Sequence, residues 1–296
     1  MAQGSGEKLR RKWKEDGLLL DDEWVEVTEE LLGSGGSAEV FRGKLDGEDV
    51  AVKRYLNDKH VESMQREVEL MRSLKHPNVL TIHGVAIVDD KYHVILPLST
   101  NGNLSRFIHG SEQPPDEKLK MRIAQGICEG LSYLHSHGVV HGDLKPENIL
   151  LDETYTPCIS DFGLSQKVRP GSNVSARKGT YRYMAPEIVK QGAYSRRADV
   201  YSLGVLLCEL FTGRVPYGEG NSRRLAMAAS YKTLRPNLHG IASPVMAALI
   251  EECWNSDPAR RPTMKAVLKD VKKLGAENHR GRPWMSSFLR STKVGV

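Results

Sequence analysis

The sequence predicts an α+β chain of two lobes, a small β-rich lobe with one helix followed by a larger, mostly helical one. Three observations predict it. Short strand-like runs of apolar residues fall before about residue 98. Apolar residues at helical spacing dominate beyond Asn103. The two textures are separated by 99–103, a polar break containing Gly102.

In chain order, residues 1–23 are charge-dense. Basic residues from Lys8 to Lys14 are answered by Glu15, Asp16, Asp21, Asp22 and Glu23, and the stretch reads as a flexible or loosely docked extension. Strands are expected over 24–32, 38–45 and 50–53, with Asp46-Gly47 turning the chain between the last two. Met64, Val68, Met71 and Leu74 form one face of a helix over 61–74, and 79–88 and 92–98 are again strand-like. Past the break, Leu119, Ile123, Ile127, Leu131 and Leu134 predict a long buried helix that stops at Gly138. Further helices are expected over 198–212, 243–254 and 263–274. The domain division is therefore an extension over 1–23, a folded domain over 24–274 with its small lobe at 24–98, and a basic tail over 275–296.

Composition narrows the function classes. With 296 residues, 40% hydrophobic and 27% charged, the chain is neither disordered nor collagen-like. The formal charge of +5 resides in 272–296, and the preceding residues sum to zero, so a nucleic-acid-binding face is not expected. The longest apolar run, Val200 to Cys208, is cut by Glu209 and falls short of the ~18 residues of a membrane span. No secretory leader is read at the start. Cys128, Cys158, Cys208 and Cys253 have neither disulfide-framework nor zinc-site spacing, which suits a reducing, cytoplasmic setting. Both ends mix basic and aromatic residues (Lys8 to Lys14 with Trp13; Arg280 to Lys293 with Trp284 and Phe288). Solvated extensions and weak contact with acidic lipid or a partner are the two readings of them.

Four stretches carry chemistry. Gly33-Ser34-Gly35-Gly36-Ser37-Ala38 is a Gly-rich loop between two strands, where backbone N–H groups can approach phosphate oxygens. A dinucleotide fingerprint would have to open a helix, and the alternating residues 38–45 do not; a plain Gly-rich hairpin is the other alternative. In Val50-Ala51-Val52-Lys53, Ala51 and Lys53 share one strand face, so a flat base and a cation could meet there, or the lysine could simply face solvent. Glu67 lies beside the apolar stripe of its helix; it is either an exposed flank residue or a buried carboxylate that requires a cation, for which Lys53 is the candidate. Finally, His141-Gly142-Asp143-Leu144-Lys145-Pro146-Glu147-Asn148-Ile149-Leu150 gathers an acid, a base and a carboxamide. Asp161-Phe162-Gly163 follows, and Ala185-Pro186-Glu187 closes the segment.

These motifs, in this order over about 24–274, resemble the eukaryotic protein kinases. The resemblance implies the bilobal kinase fold and phosphoryl transfer from ATP with Mg²⁺ to a protein substrate. It implies that Gly33, Ser34, Gly35 and Gly36 cradle the phosphates, Lys53 holds them and Glu67 fixes Lys53. Asp161 and Asn148 would bind metal, Asp143 would orient the acceptor hydroxyl, and Lys145 would neutralise the moving charge. Val40, Ala51 and Leu150 match the residues that sandwich adenine. Leu96 would guard the back pocket, with Pro97, Leu98 and Ser99 as the hinge. Met71, Ile82, His141 and Phe162 match the family's regulatory stack, Asp199 the acid that holds the catalytic loop, and Glu187 with Arg261 the large-lobe ion pair.

Lys145 and Gly179-Thr180 resemble Ser/Thr kinases, and 179–187 and 253–264 resemble the tyrosine-kinase-like group of these. Dual-specificity or tyrosine activity and a pseudokinase scaffold are the alternatives. The sequence departs from the family at Ala38, the usual third glycine, and at Gly142, where regulated members carry an arginine that pairs with a phosphate. Activity is accordingly expected not to depend on such a latch, although Ser165, Ser172, Ser175, Thr180 and Tyr181 offer hydroxyls.

Overall fold

A computed structural model describes residues 3–35, 38–56, 60–89, 91–110, 115–168, 174–175 and 179–279. The chain divides into a unit ending at Thr100 and a second beginning at Asn101. The first unit contains α1 (Gln3–Glu15), β1 (Val25–Ser34), β2 (Ala38–Leu45), β3 (Glu48–Tyr55), α2 (Val61–Arg72), β4 (Gly84–Val88) and β5 (Lys91–Pro97). The strands form one sheet in the order β1-β2-β3-β5-β4, each neighbour antiparallel.

The β2–β3 turn follows from two residues. Asp46 and Gly47 both take positive φ, 50° and 83°, the mirror-image turn whose twist matches that of paired strands. With this register Val50 and Val52 face a core shared with Val25, Ala86 and Ile95, while Ala51 and Lys53 take the opposite face. On α2 the inward side carries Met64, Glu67, Val68, Leu70 and Met71.

Two expectations are corrected here. The strand read over 79–88 begins only at Gly84: Val79 and Leu80 are buried, but Val79 N bonds back to His76 O in a turn. Their β-branched and apolar character reports burial, not pairing. The extension read over 1–23 as flexible or loosely docked is, from Leu9 to Leu20, packed on the sheet. Its α1 buries Leu9 and Trp13, Trp13 being 1% exposed and set edge-on against Tyr92 at 5.5 Å. Residues 18–20 then bond to Val85, covering the outer edge of the sheet. Trp13 is thus turned inward.

The second unit contains α3 (Leu104–His109), α4 (Glu117–Ser136), β6 (Val139–Val140), β7 (Ile149–Leu151), β8 (Pro157–Ile159), β9 (Gln166–Lys167) and β10 (Val174–Ser175). It continues with α5 (Pro186–Gln191), β11 (Ala193–Tyr194), α6 (Arg196–Thr212), α7 (Ser222–Tyr231), α8 (Pro244–Cys253) and α9 (Met264–His279). Ile123, Ile127, Leu131 and Leu134 are all fully buried on α4, which packs on α9, β8 and α6. The helix ends at Ser136, two residues before Gly138, whose φ of 77° no side chain favours. α6 is buried from Ala198 to Phe211, and at Gly204 a Cβ would come within 2.9 Å of the Cβ of Cys253 on α8. α9 continues to His279, so the tail expected from 275 starts later; residues 280–296 lie outside the described residues. No described helix is long and apolar enough to cross a membrane.

A buried ion pair ties the second unit together. Both terminal nitrogens of Arg261 donate to Glu187, at 2.6 and 2.7 Å, while its Nε and Nη1 reach the carbonyls of Asn255 and Arg197. Removing one partner leaves the other as an uncompensated buried charge, which costs about 3–5 kcal/mol. Glu187→Ala is therefore expected to lower the melting temperature of the second unit by on the order of 10 °C. Calorimetry showing a shift below about 3 °C would remove the pair from this role.

Candidate active site

Within the first unit, β3 and α2 bring Lys53 and Glu67 together. The Lys53 ammonium lies 2.7 Å from Glu67 Oε1, with the two side chains 14% and 7% exposed. Glu67 Oε2 accepts a hydrogen bond from the Tyr55 hydroxyl at 2.7 Å, so both oxygens of the buried carboxylate have partners. Tyr55 was missed by the motif reading, although its place two residues beyond Lys53 on the same strand face was available.

The Gly-rich segment turns from β1 into β2, with Gly33 opposite Val40, Ser34 opposite Glu39, and Gly35 N donating to Ala38 O at 2.9 Å. Among the described residues, a Cβ at Gly33 would meet nothing within 4 Å, and at Gly35 only Ala38 O at 3.7 Å. Packing among the described residues does not call for glycine at either position. Gly36 lies outside the described residues. Ala51 pairs with Leu96 and Val50 with Pro97; Ser99 follows, half-buried, just beyond β5.

Within the second unit the catalytic-type run joins β6 to β7 and is organised by Asp199, on the first turn of α6 and 1% exposed. Its Oδ2 accepts from His141 N at 2.9 Å and pairs with His135 Nε2 at 2.8 Å, and its Oδ1 accepts from Gly142 N at 2.9 Å. Burial works to raise its pKa, but the hydrogen bond and charge of His135 and the Gly142 N–H outweigh it and hold the group below the usual aspartate range. His141 Nε2 lies 2.9 Å from Ser160 O, its Nδ1 accepts from Asp143 N, and its ring meets Phe162 edge-on.

Asp143 is thereby presented with both oxygens engaged. Oδ2 accepts from Lys145 Nζ at 2.8 Å and Oδ1 from Thr180 N at 2.7 Å, while Lys145 Nζ also donates to Thr180 Oγ1 at 2.8 Å. Burial again opposes ionisation, and the hydrogen bond and charge of Lys145 with the Thr180 N–H overcome it, so Asp143 titrates below its ordinary value. The contacts of Thr180, 37 residues along the chain, could not be read from local spacing.

Asn148 and Asp161 flank the same end of the β7–β8 pair, in which Ile149 faces Ile159 and Leu150 faces Cys158. Ser160 N and Oγ both donate to Asn148 O. The Asn148 amide nitrogen donates to Asp143 O at 2.8 Å, which orients the carboxamide. Asp161 sits at φ 61°, ψ 77°, a left-handed conformation that costs a non-glycine residue about 1–3 kcal/mol and concentrates at functional sites. A carboxylate and a carboxamide are hard oxygen donors. They fit Mg²⁺, which is held by one or two protein groups together with substrate phosphates and waters. Among the described residues no cluster of three His, Cys, Asp or Glu could hold a metal unaided.

The family profile of the protein kinase domain matches residues 27–271. Over 85% of its length the chain is 33% identical to a probable serine/threonine-protein kinase, SIS8, of Arabidopsis thaliana, covering 25% of that protein. It is 33% identical over 88% of its length to serine/threonine-protein kinase CTR1 of the same plant, covering 33% of it. It is 34% identical over 86% of its length to human mitogen-activated protein kinase kinase kinase 11, covering 32%. The chain thus spans a quarter to a third of the length of these relatives.

The depressed pKa of Asp199 makes a prediction about acid stability. A group whose pKa is lower folded than unfolded stabilises the fold above its unfolded value, and that contribution is lost as pH falls through the folded value. Asp199→Asn is expected to lower stability near pH 7 by about 2 kcal/mol or more, because at least one buried N–H loses its acceptor. It should also flatten the fall in melting temperature below about pH 4. Parallel pH profiles for the two proteins would contradict the assignment.

Proposed function

Because the chain belongs to the protein kinase domain family, we propose that it transfers the γ-phosphoryl group of Mg-ATP to serine or threonine hydroxyls of a protein substrate. The Lys145–Asp143–Thr180 cluster carries this reading. An ionised carboxylate, an ammonium and a segment threonine joined by bonds of 2.7 to 2.8 Å form an acceptor site that can orient a hydroxyl and neutralise charge beside it.

In this reading Lys53, kept in place by Glu67, holds the α- and β-phosphates, and the open main chain at Gly33 to Gly36 donates to phosphate oxygens. Val40, Ala51 and Leu150 hold the adenine. The main chain of Pro97 and Ser99 bonds its edge through a carbonyl and an N–H. Asp161 and Asn148 would hold Mg²⁺, whose contribution is to bridge and neutralise the phosphates. Asp143 orients the hydroxyl and receives its proton, and Lys145 offsets charge on the phosphoryl group. Thr180 linked to Lys145 supports serine/threonine acceptors. Buried thiols, such as Cys208 and Cys253 with pKa values pushed up to about 12 by burial, support a reducing cytoplasmic location. Transfer from γ-labelled ATP to mixed Ser/Thr and Tyr peptides is the test. Wild type should label the Ser/Thr peptides, and Asp143→Asn should lower turnover at least about 100-fold. Equal transfer by both proteins would defeat the assignment.

Gly142 supports activity without a phosphate-to-arginine latch. Its φ is +84°, and a Cβ would lie 3.2 Å from Leu164 O and 3.7 Å from the Tyr194 ring, so an arginine there would be strained. In place of a phosphate contact, Val174 and Ser175 of the segment pair through the main chain with Tyr194 and Ala193. Phosphatase-treated and untreated enzyme are expected to turn over alike. A ten-fold loss on dephosphorylation, about 1.4 kcal/mol, would count against this.

A further inference from the structure

The helix α1 lies outside the stretch that matches the family, 27–271, yet it is built onto the helix that carries Glu67. Lys12 and Asp16, four residues apart and so on one face of the chain's opening helical segment, meet Glu69 and Arg72 on the outer side of α2. Arg72 Nη1 lies 2.8 Å from Asp16 Oδ2, and Arg72 Nη2 donates to Asp16 O at 3.2 Å. The charges are crossed: the base of α1 faces the acid of α2 and the acid faces the base, so sliding one helix by a turn would oppose like charges. Leu9 and Trp13, again four apart, are the buried side of α1, with Trp13 against Tyr92 of β5. The helix is thus braced between α2 and the sheet.

The segment that follows is anchored as firmly. Leu18 and Leu19 N both bond to Trp13 O, and Leu18 O and Leu20 N bond to the main chain of Val85. This passage needs Gly84, since a Cβ there would lie 2.6 Å from Leu20 Cγ and 2.7 Å from Leu18 O. A strand residue without a side chain where the extension crosses is an observation independent of the ion pairs, and it marks the docking as part of the fold.

We propose that α1 and residues 18–20 set the position of α2 and thereby hold Glu67 against Lys53, with Trp13 and Asp16 as positioning residues. This rests on the kinase reading for its effect on rate, and on α2 alone for its mechanics. Glu67 is two residues before Glu69 and five before Arg72, so a shift of α2 at those anchors moves the carboxylate that fixes the phosphate-binding ammonium.

The test uses the full chain carrying Asp16→Arg, Arg72→Asp, both together, or Trp13→Ala, with hydrogen exchange over 61–72, steady-state kinetics and melting temperature read on the same preparations. Asp16→Arg is expected to reduce exchange protection of α2 and to lower kcat/KM for ATP by about three- to ten-fold, well below the melting temperature. The charge-swapped double variant should recover most of both. Trp13→Ala should do more; should it fail to fold, the surface charge pair still decides. Unchanged α2 protection and unchanged KM for ATP in Asp16→Arg, or no recovery in the double variant, would overturn the proposal and leave α1 a simple stabiliser. Wild-type protein that transfers no phosphate would overturn the kinase reading instead, and exchange at α2 would still judge this one.

Discussion

The carboxylate of Asp199, 1% exposed, receives the main-chain N–H groups of His141 and Gly142 and pairs with His135. A buried charge of this kind is tolerated only while every partner stays in place, so it converts the loop after β6 from a flexible connection into one conformation. From that conformation the rest follows in order. His141 turns its ring to Ser160 and Phe162, Asp143 is presented to Lys145 and Thr180, and Asn148 is fixed by the main chain of Asp143. The same fixed loop accommodates Gly142 at a φ of 84°, so the conformation that presents Asp143 also disfavours a long side chain beside it.

Much of this was legible in the sequence, for a physical reason. Phosphoryl-transfer chemistry needs particular functional groups, and where these come from one short loop their identities stand at fixed spacing, as from His141 to Asn148. Strand and helix faces were legible wherever one side is buried, as on β3 and α4. The Lys53–Glu67 pair was legible because a carboxylate beside an apolar stripe requires a cation. What stayed hidden depends on distant contacts. Thr180 and Tyr55 are ordinary polar residues until folding sets them 2.7 Å from a carboxylate oxygen. Short helices such as α3 and α5, of six residues each, span too few turns for periodicity to speak, and charge density masked the Leu9–Trp13 stripe of α1.

The two units hold the carboxylates of Glu67 and Asp143 by unequal means. In the second, Asp199 and the Glu187–Arg261 pair are buried, and breaking either leaves an unpaired charge in the interior, at a cost of several kcal/mol. In the first, Glu67 is itself buried, but α2 is fastened from outside by Lys12–Glu69 and Asp16–Arg72, whose side chains are 28–48% exposed. Exposed pairs contribute about 0–1 kcal/mol each. The position of Asp143 therefore rests on buried charge, whereas α2 combines a buried inward face, Met64, Glu67, Val68, Leu70 and Met71, with exposed outer pairs that add little each. A two-state equilibrium separated by about 1–2 kcal/mol is the kind that modest interactions can shift. On the reading proposed above, α2 and the segment packed against it are where contacts of ordinary strength would bear on whether Glu67 holds Lys53.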